Sequence, residues 1–184
     1  MLFPPLFTEE MLSERQFIIQ ENVLLDIRFA TEEDLEAIMV IQKACYDGEA
    51  PWGRIAVGHE LRNKKTSFFL ICQDQALPIA FIGLSLGRER IHLTNIATVP
   101  AYQKQGIASF LIEQAAEIGR QIGSKAMTLE VRMSNEPAKR LYRKIGFADG
   151  QIKYNYYHNN GEDALDMIYK LEKLDDCENV PSTK

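Results

Sequence analysis

Cysteine is scarce in this chain of 184 residues. Cys45, Cys72 and Cys177 are odd in number and show no metal-ligand spacing. A disulfide framework and a bound metal are therefore not expected, and a reducing cytoplasm is the expected compartment. No apolar run approaches the roughly 20 residues that a membrane-crossing helix needs, so no membrane partner is expected. The opening MLFPPLF lacks a basic flank and meets Glu9 and Glu10 at once, so it does not read as a signal peptide. Excess positive charge is missing too, the formal net charge being −5. With no basic stripe to neutralise phosphates, nucleic acid is not an expected partner. A basic peptide remains compatible with that charge. His59, His92 and His158 have no Ser, Cys or Asp companions in a recognisable arrangement, so no nucleophilic triad is read. Internal repeats and low-complexity linkers are also absent.

What is present fits one α/β domain with a continuous core. The chain divides into a leader over 1–22, a domain over 23–171 and a polar tail over 172–184. In the leader, Thr8 is placed as the N-cap of a short helix bearing an imperfect stripe of Met11, Leu12, Phe17, Ile18 and Ile19. That helix either packs on the domain or docks a partner chain. Val23 to Phe29 reads as a strand. Thr31-Glu32-Glu33-Asp34 has the form of a capping box, and Leu35, Ile38, Met39 and Gln42 continue at helical spacing. Asp47 to Gly53 is a loop by composition, and a short helix is placed over 54–62. Ser67–Cys72, Pro78–Leu86 and Ile91–Val99 read as strands of an antiparallel meander. A glycine turn follows, then a helix with Ile107, Phe110, Leu111, Ala115, Ile118 and Ile122 on one face and Gly123 as its stop. A strand over 126–132, a helix begun by Asn135 and Pro137, and two strands around Asn159-Asn160-Gly161 complete the domain. Because the long helix is a crossover, its flanking strands are expected to be parallel. Ligands of such sheets collect at the carboxyl ends of the strands.

The segment Gln103-Lys104-Gln105-Gly106-Ile107-Ala108 opens the long helix. A helix start leaves N–H groups free, and the dipole adds partial positive charge, which suits a pyrophosphate. Gly106 allows close approach, Ala108 is nearly as small, and Lys104 can add a formal charge. Taken alone, the same residues fit a plain tight turn with a solvated lysine. The G-K-[ST] ending of a Walker loop and the G-x-G-x-x-G fingerprint are both missing.

Asn95-Ile96-Ala97-Thr98-Val99-Pro100 followed by Tyr102-Gln103-Lys104-Gln105-Gly106-Ile107-Ala108 resembles motif A of the GNAT acetyltransferases. Leu129-Glu130-Val131-Arg132, Ser134-Asn135, Ala138, Leu141-Tyr142 and Gly146-Phe147 follow in the order and spacing of the RimI subfamily. So do Asn155-Tyr156-Tyr157 and Glu162-Asp163-Ala164 with Met167. The resemblance runs from about Thr94 to Tyr169, is weaker over 23–93, where Pro51-Trp52 is similar to a short family signature, and is absent from leader and tail. It implies the GNAT acyl-CoA fold: a mixed, mostly antiparallel α/β sheet with one parallel pair and helices on both faces. It implies acetyl-CoA as co-substrate and the N-terminal alanine of a small-subunit ribosomal protein as acceptor. Backbone groups of Ile96, Ala97 and Thr98 would meet the pantetheine arm, Lys104, Gln105, Gly106, Ile107, Ala108 and Ser109 would hold the pyrophosphate, and Asn135 would hydrogen-bond the pantetheine. Glu130 would be the general base and Tyr142 the general acid. Ala108 stands where the family often has a second glycine, and Lys104 and Ser109 stand where it often has arginine.

The chemistry is consistent with those roles. An amine must lose its proton before it can attack a thioester, and a leaving thiolate must be protonated or tolerated. Glu130 lies on the face opposite Met127, Leu129 and Val131, where a carboxylate calls for a reason. An α-amine, with a pKa near ~8, asks less of a base than a lysine near ~10.4. Read without the resemblance, Glu130 fits equally an ion pair with Arg132 or a lysine, and Tyr142 fits plain core packing. Trp52, Tyr154, Tyr156 and Tyr157 are candidate walls of a peptide groove, with Trp52, Tyr156 and Tyr157 taken as substrate-binding. Asp47, Glu49, Glu162 and Asp163 are candidates for meeting a basic substrate tail. A small-molecule amine or a lysine side chain is the alternative acceptor, and a non-catalytic acyl-CoA-binding protein is the alternative class. A monomer or weak homodimer is expected.

Overall fold

The structure is a computed structural model, and it describes residues 7–46 and 51–171. The leading Met1–Leu6, most of the expected loop (47–50), Cys177 and the tail lie outside the described residues. The strands are β1 (Gln16–Ile18), β2 (Leu24–Phe29), β3 (Ser67–Asp74), β4 (Leu77–Leu86), β5 (Arg90–Thr98), β6 (Ala126–Arg132), β7 (Ala148–Tyr157) and β8 (Glu162–Lys170). The helices are α1 (Leu35–Cys45), α2 (Arg54–Arg62), α3 (Ile107–Gln121) and α4 (Glu136–Ile145). All eight strands form one sheet in the order β1-β2-β3-β4-β5-β6-β8-β7. Among its pairs, β5–β6 is the parallel one, and α3 is the crossover between them.

Helices cover both faces. On one face α3 buries Ile107, Phe110, Leu111, Ala115 and Ile118 against Ile91, Leu93, Met127, Leu129 and Val131. On the other, Ile38 and Ile41 of α1 and Val57 and Leu61 of α2 pack on Phe69, Ile71, Phe81 and Ala97. The capping box forms where expected: the Thr31 N–H donates to Asp34 Oδ2 at 2.8 Å. Asp34 also receives both guanidinium arms of Arg28, at 2.8 and 2.7 Å, which ties the start of α1 to β2. Such bidentate, charge-assisted pairs are among the stronger hydrogen bonds.

The leader departs from expectation. Glu9–Met11 makes a single 3₁₀ turn, without a side-chain cap from Thr8. The rest of the apolar stripe becomes extended chain, and β1 pairs antiparallel with β2, Phe17 opposite Leu25. Ile19 is buried while Ile18 is 62 % exposed. That alternation has the two-residue period of a strand, and the neighbouring edge of β2 supplies the hydrogen bonds that a short isolated helix could not secure.

A bulge in β5 sets up the rest. Gly83 lies opposite Asn95 and Leu84 opposite Leu93, so Thr94 is the extra residue, its hydroxyl donating to the Gly83 carbonyl at 3.0 Å. The bulge reverses the alternation: Ile91 and Leu93 face α3, whereas Ala97 faces α1 and α2. Bulges bend the strand that carries them. Accordingly β5 pairs with β6 only over Arg90–His92, matched to Ala126–Thr128. Beyond that point β5 continues beside β4 to Thr98, and β6 continues beside β8 to Arg132. The sheet forks, and one edge of β5 is left open inside the fork.

Candidate active site

The mouth of the fork meets the start of α3. Gly106 is the N-cap at φ +88°, a left-handed conformation that side chains disfavour. No side chain caps this helix, and its first backbone bond runs from the Phe110 N–H to the Gly106 carbonyl. The N–H groups of Ile107, Ala108 and Ser109 are thus left for a ligand. Lys104 is left-handed as well, at φ +61°. Non-glycine residues in that region carry strain, and such strain gathers at functional turns. The contrast with α4 is clear: there the Asn135 side chain accepts from the Ala138 N–H at 3.2 Å and caps the helix. That cap uses Asn135 Oδ1 and leaves its amide nitrogen for a ligand.

The fork also suits a pantetheine arm. The edge of β5 over Ile96 to Thr98 is unpaired on the β6 side. The Thr98 hydroxyl is buried and has no partner among the described residues. The Thr98 carbonyl accepts from Cys45 Sγ at 3.1 Å and Gln103 Nε2 at 2.9 Å, so the end of the strand is held from outside the fork. A buried hydroxyl without a partner is costly, and an amide-bearing ligand would satisfy it.

Glu130 lies on β6, just beyond the point where the strands part, and its side chain is 12 % exposed. It does not pair with Arg132. Oε1 receives Lys153 Nζ from β7, and Oε2 lies 3.0 Å from His92 Nε2 on β5. That second contact needs a proton on Nε2, so in the neutral ring His92 Nδ1 accepts from the Thr128 hydroxyl, 2.9 Å away. Hydrogen bonding from His92, then from Lys153, outweighs burial and holds the Glu130 carboxyl down to about 2. Lys153 also stands 3.5 Å from Asp166. His92 and Lys153 are the site residues that sequence reading passed over. Nothing local marks them, because they meet Glu130 only through the register of three strands.

A depressed carboxyl stabilises the fold above its unfolded pKa, near 4.5, and that contribution fades as pH falls through the folded value near 2. A Lys153→Met variant should accordingly be less stable than the parent above pH ~4.5, by about 1–3 kcal/mol. The gap should narrow as pH falls from ~4.5 through ~2 and close below it, where Glu130 is neutral in both proteins. Urea denaturation at several pH values measures it, and a gap independent of pH would contradict the pairing.

Tyr142 on α4 is buried, tilted against Phe147 at 5.6 Å. Burial first, then the neighbouring Tyr46 and Tyr157, push its pKa far above the usual phenol range, so it stays protonated. Its hydroxyl makes no hydrogen bond among the described residues. Tyr157 approaches Glu130: its hydroxyl lies 3.5 Å from the Glu130 carbonyl, and the Arg132 guanidinium sits 3.8 Å over its ring. Tyr156 stands edge-on to Tyr157 at 5.2 Å and 5.6 Å from Lys153 Nζ. Tyr154 is 75 % exposed and turns away from this group.

Three expected contributors are engaged elsewhere. Trp52 packs into the cluster under α1 and α2, its backbone held by Gln42. Glu162 holds Arg132 and both the hydroxyl and N–H of Ser134. Those bonds, Ser134's first, bring its carboxyl down to about 2 and anchor the β7–β8 turn. Asp163 accepts from the Asn155 N–H at 2.8 Å. Asp47 and Glu49 lie outside the described residues. Among the described residues no cluster of His, Cys, Asp and Glu could hold a metal, and no helix is long and apolar enough to cross a membrane.

A forked mixed sheet with a bare helix start at its mouth suits the pantetheine arm and pyrophosphate expected of an acyl-CoA. Residues 31–147 match the acetyltransferase (GNAT) family. A proposed ribosomal protein bS18-alanine N-acetyltransferase of Bacillus subtilis (strain 168) is 33 % identical over 135 residues, covering 73 % of this chain and 88 % of that protein. The N-alpha-acetyltransferase RimI of Mycobacterium tuberculosis is 28 % identical over 141 residues, covering 74 % of this chain and 87 % of that one. The crystal structure of the ribosomal-protein-S18-alanine N-acetyltransferase from Escherichia coli superposes with a TM-score of 0.74 at 26 % identity, over 84 % of this chain and 99 % of that chain. The chain belongs to the GNAT family and is an acetyl-CoA-dependent N-acetyltransferase of RimI-like sequence.

Proposed function

We propose that the enzyme acetylates the N-terminal α-amine of a protein, with the N-terminal alanine of a small-subunit ribosomal protein as its substrate. The observation that carries this reading is the carboxylate of Glu130, fixed where the sheet forks and flanked by Tyr156 and Tyr157. The relatives named as N-terminal acetyltransferases support the choice of amine. A ribosomal substrate would place the reaction in the cytoplasm.

In this reading the N–H groups of Ile107, Ala108 and Ser109, with Lys104, hold the pyrophosphate. The open edge of β5 from Ile96 to Thr98 and the amide of Asn135 hold the pantetheine. Bound acetyl-CoA supplies the thioester carbonyl that the amine attacks. The amine attacks in its neutral form, and Glu130, kept charged by His92 and Lys153, takes the proton that the nitrogen then sheds, directly or through a water. The proton leaves more readily as the C–N bond forms, because the nitrogen lone pair is then committed. Tyr142 donates a hydrogen bond to the departing sulfur.

The test is mass spectrometry after incubation with acetyl-CoA and two peptides. One carries a free N-terminal alanine, and the other a blocked N-terminus and one lysine. Acetylation of the free α-amine is the expected result. Acetylation of the blocked peptide alone, or of neither, would remove the N-terminal assignment and leave the fold standing.

A further inference from the structure

The leader runs alongside α3 from end to end, in the opposite direction. At the helix start, the Phe17 ring stacks on Phe110 with centroids 4.6 Å apart and planes 19° from parallel. In the middle, the Ser13 hydroxyl and the Glu14 N–H both donate to Oε1 of the buried Gln114, at 3.1 and 3.2 Å. At the far end, Gln121 Nε2 donates to the Met11 carbonyl at 3.2 Å. The residues matched to the family begin at Thr31, so this strap lies outside them.

The strap also reaches the phosphate turn. A β-carbon built on Gly106 would come within 3.3 Å of Phe17 Cζ. A side chain at 106 would press on the ring, which would have to give by a few tenths of an ångström. Glycine is needed here for its backbone conformation and also to admit Phe17. The ring, fixed on Phe110, braces the turn on that side. That bracing favours an anion at the bare N–H groups, since a preset turn costs less to order on binding.

We propose that Phe17, held by the strap, is a positioning residue for acetyl-CoA: it fixes the pyrophosphate turn at Gly106 and so sets cofactor affinity. This rests on the reading of Lys104 to Ser109 as the pyrophosphate site. Nothing in the strap reaches the Glu130 cluster, so the chemistry itself should be untouched.

The experiment measures the Kd of coenzyme A by calorimetry for the parent, Phe17→Ala, Phe17→Leu and Gly106→Val, with thermal unfolding as a check on folding. Acetyl-pantetheine, which lacks the phosphates, is used in parallel as a slow acetyl donor. Phe17→Ala should raise the Kd about fivefold to tenfold, the loss expected for an aromatic stack worth ~1 kcal/mol. Phe17→Leu should recover most of that loss. The kcat at saturating acetyl-CoA and the use of acetyl-pantetheine should hold within about twofold. An unchanged Kd in folded Phe17→Ala, or equal losses with coenzyme A and acetyl-pantetheine, would overturn the proposal. Should Phe17→Ala not fold, Gln114→Leu, which releases Ser13 and Glu14, takes its place with the same expectations. If Gly106→Val also leaves the Kd unchanged, the pyrophosphate reading itself has failed. If only Gly106→Val weakens binding, that reading stands and the strap has no part in it.

Discussion

Replacing Glu130 by glutamine should lower kcat by about 10²- to 10³-fold and leave acetyl-CoA affinity within about twofold, in line with the loss of a general base. Glutamine keeps the shape and removes the charge, so His92 and Lys153 lose their anion while the sheet stays intact. The pH profile adds a second check. Glu130 is held near 2, so no limb above pH ~4 belongs to it. In the parent, kcat/KM should rise with pH until the substrate amine is neutral, near ~8, and then level off. The variant should show the same limb at lower amplitude. Steady-state rates with the alanine peptide from pH 5 to 9 measure both. A limb that disappears in the variant would mean that Glu130 itself titrates in that range.

The second large effect concerns Gly106. Valine there meets two obstacles, a φ of +88° and the Phe17 ring. The left-handed conformation alone costs a side chain about 1–2 kcal/mol, and a β-branched residue suffers more. Either the turn refolds, or Phe17 is expelled from Phe110. Gly106→Val should therefore weaken coenzyme A binding by at least about 30-fold and lower the Tm by about 5 °C. Calorimetry and thermal unfolding report the two halves separately. Binding lost with the Tm unchanged would mean that the turn has rearranged without disturbing the strap.

What was legible in the sequence was local. The capping box at Thr31, the span of α2, the amphipathic face of α3 and its glycine start each depend on residues a few positions apart, and each appears where expected. The β5–β6 crossover followed from element order alone. What escaped depends on register or on distant partners. Thr94 looks like any strand residue, and only its pairing with β4 makes it a bulge. His92 has no chemical companion within reach in the sequence, and its partner Glu130 is brought to it by strand alignment. The leader's stripe mixes a helical and an alternating pattern over too few residues to separate the two periods. Its choice is made by β2 and α3, which no local signal could name. The setting of Trp52 is of the same kind: Gln42 holds its backbone from α1, a partner that nothing beside the loop announces.

The strap has a consequence for the order in which the chain assembles. Ser13 and Gln114 are 101 positions apart, and Met11 and Gln121 are 110 apart. During synthesis β1 can pair with β2 early, but its contacts with α3 must wait until that helix has been made. At ~5–20 residues per second that wait lasts several seconds, with Phe17 lacking its Phe110 partner throughout. Closing so large a loop comes late, after the meander and the crossover have paid their own entropy. The strap over residues 11–19 is thus expected to be among the last parts to settle on α3, and a ribosome stalled before α3 would hold a chain whose strap is open to proteases.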